Sequence, residues 1–161
     1  MFTNVPLKET TDLAVYLIIS QPKDFALSKN ELYKLFEFAT LKSNFSFTDV
    51  MCDQIDGVAM GSPLAPILAN LFMGHNEWQW IDNYTLSKPL FYKRYVDDIF
   101  CLFENQNQAE LLFNYLNERH PNINFTMETE VEKKHPFLDI LLNNEKVLTT
   151  SVYRKPTYTG L

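Results

Sequence analysis

At 161 residues with 46% hydrophobic and 14% aromatic content, the chain is about one domain long and carries enough apolar residues to bury a core. A formal net charge of -6 and a pI near 5.0 run against a free-standing, high-affinity nucleic-acid binder, because phosphate contacts take a surplus of Lys and Arg. The sequence has no run of about 18 apolar residues, so it predicts no membrane-spanning helix and no membrane partner. Met1-Phe2-Thr3-Asn4-Val5-Pro6 lacks the basic-then-apolar pattern of a signal peptide. Cys52 and Cys101 fit reduced thiols of an intracellular protein better than a disulfide framework, and His75, His120 and His135 lack zinc-ligand spacing.

In chain order, Lys8 to Ser20 carries Leu13, Tyr16, Leu17 and Ser20 at helical spacing and is predicted to stop before Gln21-Pro22. Ser28-Lys29-Asn30-Glu31 has the form of a capping box opening a second amphipathic helix to about Leu41, with Leu32, Leu35, Phe36 and Ala39 on one face. Asn44 to Thr48 and Val50 to Cys52 read as a hairpin that turns at Asp49. A loop with Gly57 and Gly61 then delivers a helix running to about Trp80, with Ser62 as its N-cap, Pro63 as its first residue, and Leu64, Ile67, Leu68, Leu71 and Phe72 on its apolar face. The positive end of a helix behind flexible glycines favours phosphate, although Ser-Pro also opens many helices that only pack on a sheet.

Phe91 to Phe103 consists of two β-rich apolar runs with Asp97-Asp98 between them, bounded by Pro89 and by Asn105-Gln106-Asn107. Adjacent like charges at the tip of a hairpin whose strands read as buried repel unless cations or hydrogen-bond donors offset them, which points to a divalent-metal site. Asp also forms turns and caps its own backbone, so a purely structural turn stays open. Downstream, Asn107 to Arg119 is predicted as a helix that stops at His120-Pro121. Three strands are predicted after it, Asn124 to Glu130, Pro136 to Leu142 and Val147 to Tyr153. Glu128, Glu130 and Glu132 read as a solvated strand face, and Asp139 as a carboxylate inside an apolar strand, a candidate partner of Arg154. The predicted fold class is α+β with a largely antiparallel sheet and packed helices.

Tyr95-Val96-Asp97-Asp98, preceded by Gln54-Ile55-Asp56-Gly57-Val58-Ala59-Met60-Gly61-Ser62-Pro63 and the helix to Met73, resembles the palm of reverse transcriptases. The wording is closest to the Penelope-like retroelement family. Phe137-Leu138-Asp139-Ile140 and Thr150-Ser151-Val152-Tyr153-Arg154-Lys155-Pro156-Thr157 are similar to segments that follow the catalytic hairpin in that family.

The resemblance implies an RNA-directed DNA polymerase fragment with Mg2+ or Mn2+ at Asp97 and Asp98. Its partners would be an RNA or DNA template, a DNA primer and a deoxynucleotide. Gln54, Gly57, Gly61, Ser62, Pro63 and Tyr95 would lie against template and nucleotide; Lys133, Lys134, Arg154 and Lys155 are weaker candidates for the primer backbone. Phe2-Thr3-Asn4-Val5-Pro6 is similar to the tail of the family's first palm motif, with Phe2 where a bulky side chain clashes with a ribose 2′-hydroxyl. That motif's metal-binding aspartate would precede Met1. The expectation is therefore a partial palm lacking the upstream fingers and first palm strand, inactive by itself because a two-metal centre takes carboxylates that bridge both ions. The alternative is a non-catalytic remnant or interaction module derived from the same fold.

Overall fold

The computed structural model describes residues 4–22, 26–40, 44–53, 57 and 62–155. Over these residues the fold is α+β: helices α1 (Leu7–Ile19) and α2 (Lys29–Thr40), strands β1 (Asn44–Phe47) and β2 (Val50–Asp53), helix α3 (Ala65–Asn83), strands β3 (Phe91–Tyr95) and β4 (Asp98–Leu102), helix α4 (Gln106–Asn117), and strands β5 (Lys134–Phe137), β6 (Ile140–Asn144) and β7 (Leu148–Val152). The pairing is antiparallel throughout and divides into three small sheets, β1-β2, β3-β4 and β5-β6-β7, instead of one. No helix among the described residues is long and apolar enough to cross a membrane.

Helix α3 is the axis of packing. One side of it gives Ala65 and Leu68 to a cluster with Leu7 and Ala14 of α1, flanked by Phe36 of α2. Along the rest of its length Ala69, Phe72, Met73 and Trp80 meet Val5, Tyr84, Leu112, Leu116 and Ile123. A helix buried on two sides needs a wider apolar stripe than one face supplies, so its predicted face of Leu64, Ile67, Leu68, Leu71 and Phe72 marks only part of that stripe and includes the exposed Ile67. Phe72 is fully buried and meets the His120 ring edge-on at a centroid distance of 5.2 Å. The same imidazole lies 3.2 Å from Glu9, tying the segment after α4 to α1.

The capping box of α2 forms in both directions: the Glu31 carboxylate accepts from the Ser28 amide and hydroxyl, and the Glu31 amide donates to the Ser28 Oγ. These bonds to the charged form hold Glu31 below its ordinary carboxylate range. Helix α4 is capped by Asn105, whose Oδ1 accepts from the Gln108 amide at 3.1 Å.

Four expectations are corrected. The buried stripe of α1 is Leu7, Thr10, Thr11, Ala14 and Val15, whereas Tyr16 and Leu17, expected on it, are exposed. Helix α3 starts at Ala65 with Leu64 as its N-cap residue; Ser62 and Pro63 form a preceding turn in which the Ser62 carbonyl accepts from the Ala65 amide. Asn124 to Glu130 is not a strand, because the Asn117 side chain takes the hydrogen bonds that a ladder would have made, accepting from the Phe125 amide at 2.7 Å and donating to its carbonyl at 3.4 Å. The predicted strand Pro136 to Leu142 is a hairpin: Phe137 pairs with Ile140 across Leu138-Asp139, and Asp139 lies exposed in the turn.

Candidate functional site

The β3-β4 hairpin pairs Tyr95 with Asp98, which leaves Val96-Asp97 as a two-residue loop. Such loops favour a positive φ at the first central residue, where glycine is usual. Here it is Val96, with φ 55°. A β-branched residue in the left-handed region stores strain of about 1 to 2 kcal/mol, so the surroundings must hold it there.

Strand alternation sorts the hairpin into two faces. Tyr92, Arg94, Ile99 and Cys101 turn toward α3, in the register Tyr92 to Cys101 and Arg94 to Ile99. The Arg94 Nε donates to Glu77 Oε2 at 2.8 Å, and the Tyr92 hydroxyl donates to the other oxygen of the same carboxylate. Arg94 Nη1 donates to Asn70 Oδ1 at 2.9 Å and to the Val96 carbonyl at 3.0 Å. The side chains of Arg94 and Glu77 are only 12% and 14% exposed. Burial, and then the Glu77 carboxylate, raises the Tyr92 hydroxyl far above its ordinary pKa and pushes the Cys101 thiol up to about 12.

On the other face, Phe100 packs against Phe137 at 5.2 Å and His135 at 6.0 Å, docking the hairpin on the β5-β6-β7 sheet. Between hairpin, sheet and the 123–128 segment lies an open groove of about 740 Å³. Its wall includes Asp97, Asp98, Glu128, Arg94, His135 and Lys155. Acidic groups from the hairpin and the 123–128 segment thus share one groove with a lysine that follows β7.

Of the residues picked from sequence, Asp97, Asp98 and Lys155 come together on this groove. Tyr95 is exposed on the hairpin beside Asp98, and Lys133, Lys134 and Arg154 are exposed away from the groove wall. Gly57 is buried with φ 75°, a conformation that favours glycine. Phe2, Gln54 and Gly61 lie outside the described residues. Ser62 and Pro63 precede α3 and are not on the groove wall; the hairpin meets the middle of α3, at Asn70 and Glu77, rather than its start. The acidic turn and the helix tip are therefore two places on one helix. Asn70 lies five residues, or about 7.5 Å of rise, beyond Ala65.

Sequence reading missed Arg94, Glu77, Asn70 and Tyr92. A signal for them exists: Asn70 and Glu77 are seven apart on one helical face, and Tyr92 and Arg94 are two apart on one strand face. The site is thus an acidic turn above an open groove in an α+β protein. Compared with protein-family models, curated proteins and solved structures, the chain has no match.

Proposed function

We propose that this chain is palm sequence of an RNA-directed DNA polymerase of the Penelope-like kind, with Asp97 and Asp98 holding Mg2+ or Mn2+. Template, DNA primer and deoxynucleotide would occupy the groove. The observation that carries this reading is the placement of Asp97 and Asp98 together on the wall of a groove of about 740 Å³, at a turn strained at Val96. Backbone strain kept at a charged turn is a recurrent mark of sites that position a ligand. The metal, when bound, supplies charge neutralisation to the attacking and leaving oxygens of phosphoryl transfer. Asp97 and Asp98 would hold the metal from one turn, whereas a two-metal centre takes further carboxylates from other elements; among the described residues Glu128 shares the groove wall with them. Lys155 stands where it can meet a phosphate, a contact that positions nucleic acid without reading its sequence.

A second reading, a non-catalytic or interaction module derived from the same fold, is favoured by a different observation, the acidic balance of the chain, with a net charge of -6 and a pI near 5.0. Among the described residues no group of three or more His, Cys, Asp and Glu side chains is arranged to hold a metal ion. The two readings part at the bench. In a Mn2+ titration followed by water-proton relaxation, the polymerase reading expects a weak site that disappears in Asp97→Asn/Asp98→Asn; equal relaxation in both proteins makes the turn structural. Primer extension on an RNA template, with the chain joined to a segment that carries a further aspartate, tests the reaction. Incorporation abolished by Asp97→Ala supports polymerase function, and incorporation indifferent to that change overturns it.

A further inference from the structure

Arg94 and Glu77 form a nearly buried ion pair, and such pairs are poor sources of stability. An apolar pair of similar volume commonly serves as well or better, because two charges leave water to make the contact. Their arrangement suggests another use. One guanidinium nitrogen, Nη1, serves Asn70 on α3 and the Val96 carbonyl in the turn, while Nε is fixed by Glu77 and both oxygens of Glu77 are occupied, by Arg94 and Tyr92. A planar guanidinium with several donors can bridge acceptors on two elements in one rigid geometry, which an apolar pair cannot do.

We propose that Arg94 is a positioning residue: anchored to Glu77 and Asn70 on α3, it holds the Val96 carbonyl and so keeps the Val96-Asp97 turn in the left-handed conformation that sets both carboxylates on the groove wall. Its functional consequence rests on Asp97 and Asp98 being a cation site; its structural content does not.

The molecule carries an internal control. The Leu138-Asp139 turn between β5 and β6 has the same form, a two-residue loop with a branched residue at φ 54° followed by Asp. Among the described residues no side-chain donor reaches the Leu138 carbonyl; that hairpin is instead continued by β7, with the Tyr153 amide donating to the Asp139 carbonyl at 2.8 Å. The acidic hairpin is a two-stranded sheet with no third strand beside it among the described residues, and a two-stranded ribbon is marginal by itself. Arg94 thus takes the place that a third strand has in the other hairpin.

The test uses the whole chain and the metal alone. Glu77→Gln/Arg94→Met removes the anchor while conserving net charge, and the Val96→Gly arm separates loss of the turn from loss of the Arg94 charge beside Asp97 and Asp98. Backbone couplings from NMR report the sign of φ at residues 96 and 138, and relaxation titration reports Mn2+ affinity. The expected result is loss of positive φ at 96 but not at 138, and a Mn2+ affinity about tenfold weaker, the ratio implied by left-handed strain at a non-glycine residue. Adding Val96→Gly, which removes that strain, is expected to restore positive φ and bring the affinity back to that of Val96→Gly alone. A purely structural role for the ion pair predicts no such rescue. A folded double variant that keeps φ at 96 and binds Mn2+ like the wild type overturns the proposal. Should the double variant fail to fold, Arg94→Lys decides: its single nitrogen cannot reach Glu77, Asn70 and Val96 together, so residue 96 is expected to lose its positive φ, and retention overturns the proposal. A wild type that binds no Mn2+ overturns the cation site instead, and φ at 96 then settles the role of Arg94 by itself.

Discussion

Tyr84 is buried in the centre of the larger core, 1% exposed, and its hydroxyl has no hydrogen-bond partner among the described residues. Its ring lies 4.8 Å from that of Tyr115, tilted by 51°. The Tyr115 hydroxyl, by contrast, donates to the Trp80 carbonyl at 3.1 Å. A hydroxyl taken out of water without compensation costs about 1 to 3 kcal/mol. Tyr84→Phe removes that penalty while the ring, its apolar contacts and the aromatic pair remain. Set against the few dispersion contacts of one oxygen atom, the net effect is a stabilisation of about 1 kcal/mol, or roughly 2 to 4 °C in Tm for a chain of this length. The same chemical change next door has the opposite sign, since Tyr115→Phe deletes a donor and leaves a carbonyl short of its partner, a loss of about 1 kcal/mol. Urea unfolding of the two variants beside the wild type checks both signs at once. The reasoning is refuted if Tyr84→Phe is destabilised to the same extent as Tyr115→Phe, which would mean that the Tyr84 hydroxyl is hydrogen-bonded after all.

Two further expectations follow from the fold. Burial holds the Cys101 thiol at about 12, against 9.0 for an ordinary thiol, and raises Tyr84 and Tyr92 above the ordinary 10.0. The unfolded chain therefore releases these protons first as pH rises, so their contribution to stability is whole below about pH 9 and shrinks above it. Unfolding free energy measured by urea from pH 7 to 11 is expected to fall with pH in the wild type and to fall less steeply between 9 and 11 in Cys101→Ala; parallel curves would show that the thiol is not held protonated. At the start of α4, Asn105→Ala removes the acceptor for the Gln108 amide and is expected to lower stability by about 1 kcal/mol, with Asn105→Asp restoring it.

What could be read from the sequence were the features whose physics is local. The capping box at Ser28 and Glu31 lies within one turn of helix, and each of its bonds spans three residues. The adjacency of Asp97 and Asp98 states its own electrostatic problem. The runs on either side of them are rich in aromatic and β-branched residues and meet at a tight turn, so the hairpin follows. The β5-β6 turn escaped because hairpin recognition leans on glycine or asparagine at positive φ. Here the residues with positive φ include Thr48, Asp49, Val96, Glu132, Lys133 and Leu138, in hairpin loops that contain no glycine. Leu138 in particular reads as one more apolar residue in a strand. The expected strand from Asn124 failed for another reason: an asparagine seven residues before it reaches over to hold Phe125, a bond that no periodicity records.

Three of these unreadable positions surround one groove. Val96, Leu138 and Phe125 are respectively a strained turn, a second strained turn and a segment held by a side chain instead of a ladder; Leu138 and Phe125 line the groove, and Val96 directly precedes its Asp97. Places where local preference and observed backbone disagree must be held by contacts made at long range, and such places gather where a surface has to keep one shape for a ligand. Elsewhere the chain largely obeys its local rules: α2 and α4 are capped by side chains three residues from the amides they serve, and α3 is apolar where it is buried on both sides. The conflict between residue type and conformation is not confined to the groove, since Thr48, Asp49, Glu132 and Lys133 also take positive φ off its wall, but around Asp97 and Asp98 two strained turns and a side-chain-held segment meet. That meeting is an observation separate from the resemblance carried by Tyr95-Val96-Asp97-Asp98, because it arises from backbone angles and hydrogen bonds instead of from residue names.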